Sequence, residues 1–169
     1  MYKITVAKRD ELYEISVFLN ACWRATYNEI ISPEYLDALS DDDKYEKLLK
    51  RFDENPSDFL IMRYANELIG VAIFGKSYTE GYLDDGEISA IYIHQDYIGQ
   101  GYGHALFTEA ERMLSEKGYT NFIVDVLSDN TNAIVFYQKH GYEIVAERSI
   151  DLGGIDYPLT VLRKGYTTR

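Results

Sequence analysis

The sequence is poor in cysteine, in clustered positive charge and in long apolar runs. Cys22 is the single cysteine among 169 residues, so the chain forms no internal disulfide, which fits a reducing compartment. No apolar run reaches the length of a membrane span and the N-terminal segment does not read as a signal peptide, so we expect a cytoplasmic protein without a membrane partner. The formal net charge of −11 argues against binding to a nucleic-acid backbone and mildly favours a cationic partner.

Several ligand-binding motifs are also missing. No His-x-x-x-His pair and no Cys/His cluster occurs, so we expect no metal. The glycine-rich stretch QDYIGQGYGHALF (95–107) is not a dinucleotide fingerprint, because His104 stands where the third glycine would be needed. It is not a P-loop either, because no lysine occurs between Lys76 and Lys117. These absences exclude the two standard nucleotide-binding loops.

Apolar periodicity and turn residues predict an α+β protein in one domain over residues 1–169. Asp10 is the predicted cap of the first helix, and strand–helix–strand over 87–127 predicts one parallel crossover in a mostly antiparallel, mixed sheet. Helices are predicted at 10–27, from Pro33, at 40–56, at 104–118 and at 132–141. Strands are predicted at 2–7, on both sides of a turn near Asn66-Glu67 within 58–76, and at 87–93, 121–127, 142–151 and 156–164.

The glycine-rich stretch lies between a predicted strand and a predicted helix. Gly99, Gly101 and Gly103 allow a tight turn and the close approach of a bulky group to the backbone. The first N–H groups of a helix have no partner within it, and the helix dipole adds partial positive charge there. The pattern therefore predicts an anion site, although a turn without a ligand is an alternative when the stretch is considered alone.

A second segment, NTNAIVFYQKHGY (130–142), adds a pattern that spans Asn130, Ala133, Tyr137 and Gly141-Tyr142. With residues 97–106, it resembles the GNAT N-acetyltransferase superfamily, whose signature combines a y-r-g-k-G-x-G-x-x-L turn with a later N-x-x-A-x-x-x-Y-x-x-x-G-F. The resemblance spans nearly the whole chain. It implies a single-domain GNAT-like fold with a six- to seven-stranded sheet and about four helices. Ile98 departs from the usual Arg or Gln, so we expect a weaker grip on the coenzyme.

The resemblance implies acetyl-coenzyme A (acetyl-CoA) as co-substrate, with its pyrophosphate on the glycine turn and its pantetheine arm along the strand at 87–93. An amide-like arm can bond to strand backbone as an added strand would. The predicted coenzyme contacts are Ile91, Tyr92, Ile93, Gly99, Gln100, Gly101, Tyr102, Gly103, His104, Asn130 and Tyr137.

The implied reaction is attack of an amine on a thioester, which needs a base and a proton donor. Tyr137 matches the usual acid of the superfamily, with a tyrosine packed in the core as the alternative. Glu87, on the strand expected beside the thioester, is the candidate base, and Asp125 is the second choice. Asn130 is either a coenzyme contact or a helix cap.

The acceptor site is predicted from aromatic and acidic residues in the N-terminal helices and the 77–87 loop. Trp23, Tyr27 and Tyr82 are the predicted substrate contacts, with Asp84 and Asp85 available beside them. They suit a primary amine of a polyamine-like molecule, an amino sugar or a peptide. The alternatives are a non-catalytic acyl-CoA-binding sensor or interaction domain, and a protein N-terminal or lysine acetyltransferase. Apolar surface and strand edges are compatible with a homodimer.

Overall fold

The computed structural model describes residues 1–166, which form a seven-stranded mixed sheet with the strand order β1-β2-β3-β4-β5-β7-β6. The strands are β1 (Tyr2–Val6), β2 (Phe59–Tyr64), β3 (Glu67–Lys76), β4 (Gly86–Ile93), β5 (Asn121–Leu127), β6 (Glu143–Leu152) and β7 (Ile155–Gly165). The helices are α1 (Leu12–Thr26), α2 (Pro33–Asp37), α3 (Asp41–Glu54), α4 (Tyr102–Glu116) and α5 (Thr131–Lys139). No helix within this described part combines the length and apolar character that a membrane span requires.

The predicted α+β architecture is confirmed, with seven strands and four helices longer than the short α2. The parallel crossover is confirmed by the pairing of β4 with β5. The cap at Asp10 is wrong, because a 3₁₀ turn covers Arg9–Glu11 and Glu11 stands at the start of α1. The hairpin turn lies one residue earlier than predicted, at Ala65-Asn66, where both residues adopt positive φ.

The described chain divides into two compact units, and one domain over 1–169 stays a prediction. The first unit comprises residues 1–74 and 90–110. Its strands β1, β2 and β3 pair antiparallel in chain order. The core of this unit forms because α1 places apolar side chains at helical spacing against α3 and the two central strands. Its buried members include Leu12, Ile15, Leu19, Cys22, Leu48, Phe52, Phe59, Ile61 and Val71.

A close approach at Gly70 fixes the end of β4 against the start of α4. A Cβ on Gly70 would lie 2.9 Å from Ile93 Cδ1, 3.1 Å from Leu106 Cδ2 and 3.3 Å from Met62 Cβ. Glycine is required here because a side chain has no space. The glycine turn therefore lies between two packed residues, Ile93 at the end of β4 and Leu106 in α4.

The second unit comprises residues 75–89 and the described residues from 111 onward. Its part of β4 pairs parallel with β5, with Gly86 opposite Phe122 and Glu87 opposite Ile123. Strand β7 pairs antiparallel with both β5 and β6. A buried ion pair joins Lys164 Nζ to Glu111 Oε2 at 2.6 Å, and the Tyr142 hydroxyl donates to the same oxygen at 2.8 Å. This cluster connects α4 and β7 to Tyr142, the residue that precedes β6.

Candidate functional site

The glycine turn of the first unit has the backbone that the sequence predicts. A 3₁₀ turn at Gln95–Tyr97 leads into it, and α4 begins at Tyr102, two residues earlier than predicted. Gly99 and Gly101 adopt φ of +80° and +88°, which L side chains rarely adopt. A Cβ on either residue would meet nothing within 4 Å. The glycines are therefore required by the backbone, and the space above them is open.

A diphosphate fits this turn in both space and charge. The Ala105 N–H donates to Gly101 O at 3.2 Å, so the α-helical bonding starts directly at the turn. The first turn of a helix leaves N–H groups without acceptors inside the helix, and its dipole favours an anion there. Gln100 donates from Nε2 to Asp96 O at 3.2 Å and braces the turn. Ile98 is 60% exposed, so it presents an apolar surface beside the turn.

Tyrosine rings that precede and follow the glycine turn lie close to one another. The Tyr97 hydroxyl donates to Glu67 Oε2 at 2.8 Å, and this hydrogen bond raises the pKa of Tyr97. The ring of Tyr102, on the first turn of α4, lies 5.9 Å from that of Tyr97 and 6.4 Å from that of Tyr64. The Tyr97–Glu67 bond ties the residue before the turn to the start of β3.

The remaining coenzyme contacts predicted in this unit lie at the two ends of the turn. Ile91, Tyr92 and Ile93 form the last part of β4, and Ile93 is packed over Gly70. Gly103 and His104 lie in the first turn of α4. The Tyr92 hydroxyl lies 2.9 Å from the Tyr27 hydroxyl, so a predicted coenzyme residue contacts a predicted acceptor residue.

In the second unit, two hydroxyls hold Glu87. Glu87 Oε1 accepts from Ser77 Oγ at 3.2 Å and from Thr79 Oγ1 at 3.0 Å. Both hydroxyl residues are buried, and the Thr79 N–H donates to Ser77 Oγ at 3.0 Å. The carboxylate is therefore held in one orientation by an ordered turn. Sequence reasoning missed Ser77 and Thr79, because they lie in a polar stretch whose composition indicates only a loop.

Asp125 belongs to the same network. Its Oδ2 lies 3.5 Å from Thr79 Oγ1 and accepts from Arg148 Nη1 at 3.2 Å. Its side chain keeps a quarter of its surface exposed. Burial raises the pKa of Asp125, and the Arg148 guanidinium opposes this shift without cancelling it. Glu87 and Asp125, the two carboxylates predicted as candidate bases, therefore both lie beside the Thr79 hydroxyl.

The residues predicted from the second motif lie at the start and along one side of α5. Asn130 caps the helix, because its Oδ1 accepts from the Ala133 N–H at 3.3 Å. Tyr137 is 8% exposed, and its ring lies 5.5 Å from that of Phe136 and 5.9 Å from that of Tyr142. The cap role of Asn130 is observed, whereas its coenzyme contact and the acid role of Tyr137 stay predictions.

In two of the predicted acceptor residues, a cationic side chain of the protein itself lies over the aromatic ring. Lys44 Nζ lies 5.5 Å from the centre of the Trp23 ring, and the Arg163 guanidinium lies 5.5 Å from that of Tyr82. Asp85 is buried and binds Arg163 through both carboxylate oxygens, at 2.7 and 3.0 Å. Asp85 is therefore committed to an internal ion pair, which corrects its assignment as a residue available to an acceptor.

Neither a metal centre nor a reactive thiol emerges from residues 1–166. No three His, Cys, Asp or Glu side chains in this range are grouped so that they could hold a metal ion. Burial raises the pKa of Cys22 to about 12, so its thiol stays protonated at neutral pH.

Comparison with known proteins agrees with this geometry. The sequence model of the Acetyltransferase (GNAT) family matches residues 23–142. An uncharacterized N-acetyltransferase of Bacillus subtilis, YuaI, is 32% identical over 157 residues, covering 92% of this chain and 88% of the relative. A spermidine N(1)-acetyltransferase of Thermoplasma acidophilum is 23% identical over 149 residues, covering 84% and 86%.

The fold is also that of a solved acetyltransferase. The crystal structure of PaiA N-acetyltransferase from Thermoplasma acidophilum, in complex with coenzyme A, superposes with a TM-score of 0.76 at 25% identity. The match covers 98% of this chain and 99% of the other. With a family match over most of the sequence, a relative above 30% identity along nearly its full length and a shared fold, this chain belongs to the GNAT family and is an N-acetyltransferase.

Proposed function

We propose that this chain transfers the acetyl group of acetyl-CoA to a primary amine of a polyamine-like molecule. The observation that carries the proposal is the pair of carboxylates, Glu87 and Asp125, held around the Thr79 hydroxyl. Carboxylates can hold an ammonium group and can also take its proton. The net charge of −11 and the spermidine N(1)-acetyltransferase among its relatives support a polycationic acceptor.

The first unit is proposed to bind the coenzyme. Backbone N–H groups of residues 99–104 would hold the diphosphate, and the main chain of Ile91–Ile93 would hold the amide groups of the pantetheine arm. When bound, acetyl-CoA supplies a thioester that an amine can attack. The open space above Gly99 and Gly101 supports this assignment, because a diphosphate needs the backbone to be accessible at that position.

Glu87 is proposed to act as the general base. A primary amine with a pKa of about 10.4 is mostly protonated at pH 7, and freeing the neutral amine costs roughly 4.6 kcal/mol. A carboxylate within hydrogen-bonding reach of the ammonium can accept this proton, so that the neutral amine forms at the site and attacks the thioester. The orientation of Glu87 by Ser77 and Thr79 supports this role, because a general base must be positioned before its pKa matters.

Tyr137 is proposed to donate a proton to the leaving sulfur. A thiolate leaves more easily when a hydroxyl neutralises its developing charge. The buried position of Tyr137 between Phe136 and Tyr142 supports a fixed ring orientation. In the balanced reaction, an alkylammonium ion and acetyl-CoA give an N-acetylamine, free coenzyme A and one proton. The proposed compartment is the cytoplasm, which supplies acetyl-CoA, and homodimerisation stays a prediction.

The proposal is tested by the release of free coenzyme A in the presence of acetyl-CoA and an amine panel. Spermidine, spermine, glucosamine and a short peptide with a free α-amine represent the acceptor classes. We expect the highest kcat/KM with the polyamines and N-acetylspermidine as a product by mass spectrometry. Turnover of the peptide but not of the polyamines would contradict the polyamine class. Coenzyme A binding by calorimetry without turnover of any amine would contradict the proposed acceptor chemistry.

A further inference from the structure

One hydroxyl in the second unit faces two carboxylates. Thr79 Oγ1 lies 3.0 Å from Glu87 Oε1 and 3.5 Å from Asp125 Oδ2. A threonine hydroxyl carries one proton and accepts through its lone pairs, so it can donate to only one of these carboxylates at a time. The second carboxylate then faces a lone pair. That contact becomes favourable only when this carboxylate carries a proton and donates to Thr79.

The distances assign the hydroxyl proton to Glu87. The contact with Glu87 has ordinary hydrogen-bond length, whereas the contact with Asp125 is at the limit of such a bond. Thr79 is buried, so the hydroxyl is shielded from competing water. Asp125 reaches the surface, with a quarter of its side chain exposed beside Arg148. The three residues therefore form a path from Glu87 through a buried hydroxyl to a carboxylate in contact with solvent.

We propose that Thr79 is a relay residue that passes the proton taken up by Glu87 on to Asp125, an inference that rests on the proposed role of Glu87 as base. The O–H bond of protonated Glu87 breaks as a new bond forms to Thr79 Oγ1. The original Thr79 O–H bond breaks as one forms to Asp125 Oδ2. Nothing is oxidised or reduced, Thr79 ends as a neutral hydroxyl, and Asp125 releases the proton to water.

The groups that face Asp125 at the end of this path include one cation, which opposes its protonation. The cation on its Oδ2 is Arg148 of β6, and the groups on the loop side are the hydroxyls of Thr79 and Ser77 and the carboxylate of Glu87. Burial raises the pKa of Asp125, which supports a carboxyl able to hold a proton briefly. In the described chain, the Ser77 hydroxyl bonds to Glu87 and not to Asp125, so Ser77 provides a matched control.

The kinetic test compares Thr79→Val, Thr79→Ser and Ser77→Ala. Thr79→Val keeps the side-chain shape and removes the hydroxyl, and we expect kcat to fall by about tenfold or more with the KM for acetyl-CoA unchanged. Thr79→Ser restores the hydroxyl and should recover most of kcat. Asp125→Asn should lower kcat as Thr79→Val does, and the double variant should be no slower than either single variant. Ser77→Ala should cause a smaller loss that multiplies with that of Asp125→Asn.

A second readout needs no turnover. Carboxyl-carbon NMR titration of the free protein follows the protonation of Glu87 and Asp125 separately. In Thr79→Val, each carboxylate loses a hydroxyl that can donate to its charged form, so the titration midpoints of Glu87 and Asp125 should both rise, that of Glu87 more because its contact is shorter. Shifts at both carboxylates support the relay. An unchanged midpoint at Asp125 would mean that Thr79 does not reach it in solution, which would overturn the relay.

The two readouts separate failure of the relay from failure of the proposed function. An active enzyme whose Thr79→Val and Asp125→Asn losses multiply independently retains its acetyltransferase role and overturns the relay. Titration shifts at both carboxylates in a protein that acetylates no amine support the shared hydroxyl and overturn the proposed acceptor. Melting curves confirm that each variant is folded, and Thr79→Ser keeps the test decisive if Thr79→Val does not fold.

Discussion

The two compact units carry different kinds of chemistry. The first presents main-chain amides around Gly99 and Gly101, where the lack of a side chain leaves the backbone accessible. The second presents side chains, with Glu87 and Asp125 arranged around Thr79. A site made of backbone is insensitive to most side-chain changes and fails when a Cβ is added. A site made of carboxylates fails when one charge is removed, although the backbone is unchanged.

The largest effect should come from removing the charge of the proposed base. Glu87→Gln keeps the shape of the side chain but cannot accept the amine proton, so we expect kcat to fall by about 10²–10⁴-fold while coenzyme A affinity stays unchanged. Steady-state kinetics and calorimetry measure the two quantities. Glu143→Gln, an exposed change at the start of β6, is the control and should keep wild-type kcat. Equal kcat in Glu87→Gln and wild type would remove Glu87 from the mechanism.

The backbone site should respond to a single methyl group. Gly101→Ala places a Cβ in the space above the turn, and the loss of one charge-assisted hydrogen bond of about 1.5–3 kcal/mol should weaken coenzyme A binding by about tenfold or more. Gly154→Ala is the matched control, because Gly154 has φ of +87° and equally open surroundings at a hairpin tip. Both variants should lose similar stability through left-handed strain, about 1–2 kcal/mol. If Gly154→Ala weakened coenzyme binding to the same extent, strain alone would explain the result.

The smallest effect should be a gain in stability from neutralising Asp125. Its folded-state pKa is raised by burial, so its contribution to stability is greatest below the unfolded pKa and is lost as the pH rises through the folded pKa. Asp125→Asn should therefore raise Tm slightly at pH 7, and the gain should shrink as the pH falls toward the ordinary range for aspartate. Arg148 loses its partner but remains partly exposed, which limits the cost. A lower Tm at pH 7 would mean that the ion pair outweighs burial.

Features encoded by nearby residues could be predicted from the sequence. Apolar spacing defines α1, and the alternating glycines define the turn before α4, because each depends on residues within a few positions. The same holds for the start of α3, where Ser40 Oγ accepts from the Asp43 N–H three residues later. The parallel pairing of β4 with β5 required only the observation that a helix separates the two strands, whereas the position of β7 between β5 and β6 was not predicted.

Contacts between distant residues could not be predicted. Thr79 and Asp125 are 46 positions apart, and Arg163 reaches Asp85 across 78 positions. Nothing in the polar 77–87 stretch distinguishes a buried hydroxyl from a solvated one, or a paired carboxylate from an available one. For the same reason, the sequence predicts that the rings of Trp23 and Tyr82 contact the cation of an acceptor. In the fold, Lys44 and Arg163 lie over these two rings.

The parallel pairing of β4 with β5 has a consequence for how the molecule is made. The hairpins of β2 with β3 and of β6 with β7 join neighbouring segments, so they can form as soon as those segments leave the ribosome. Glu87 can meet Ile123 only after the whole of α4 has been synthesised and has docked. The register that places the base is therefore acquired after the hairpin of β2 with β3 can form, and a nascent chain stalled within α4 carries Glu87 on a strand that has not yet met β5.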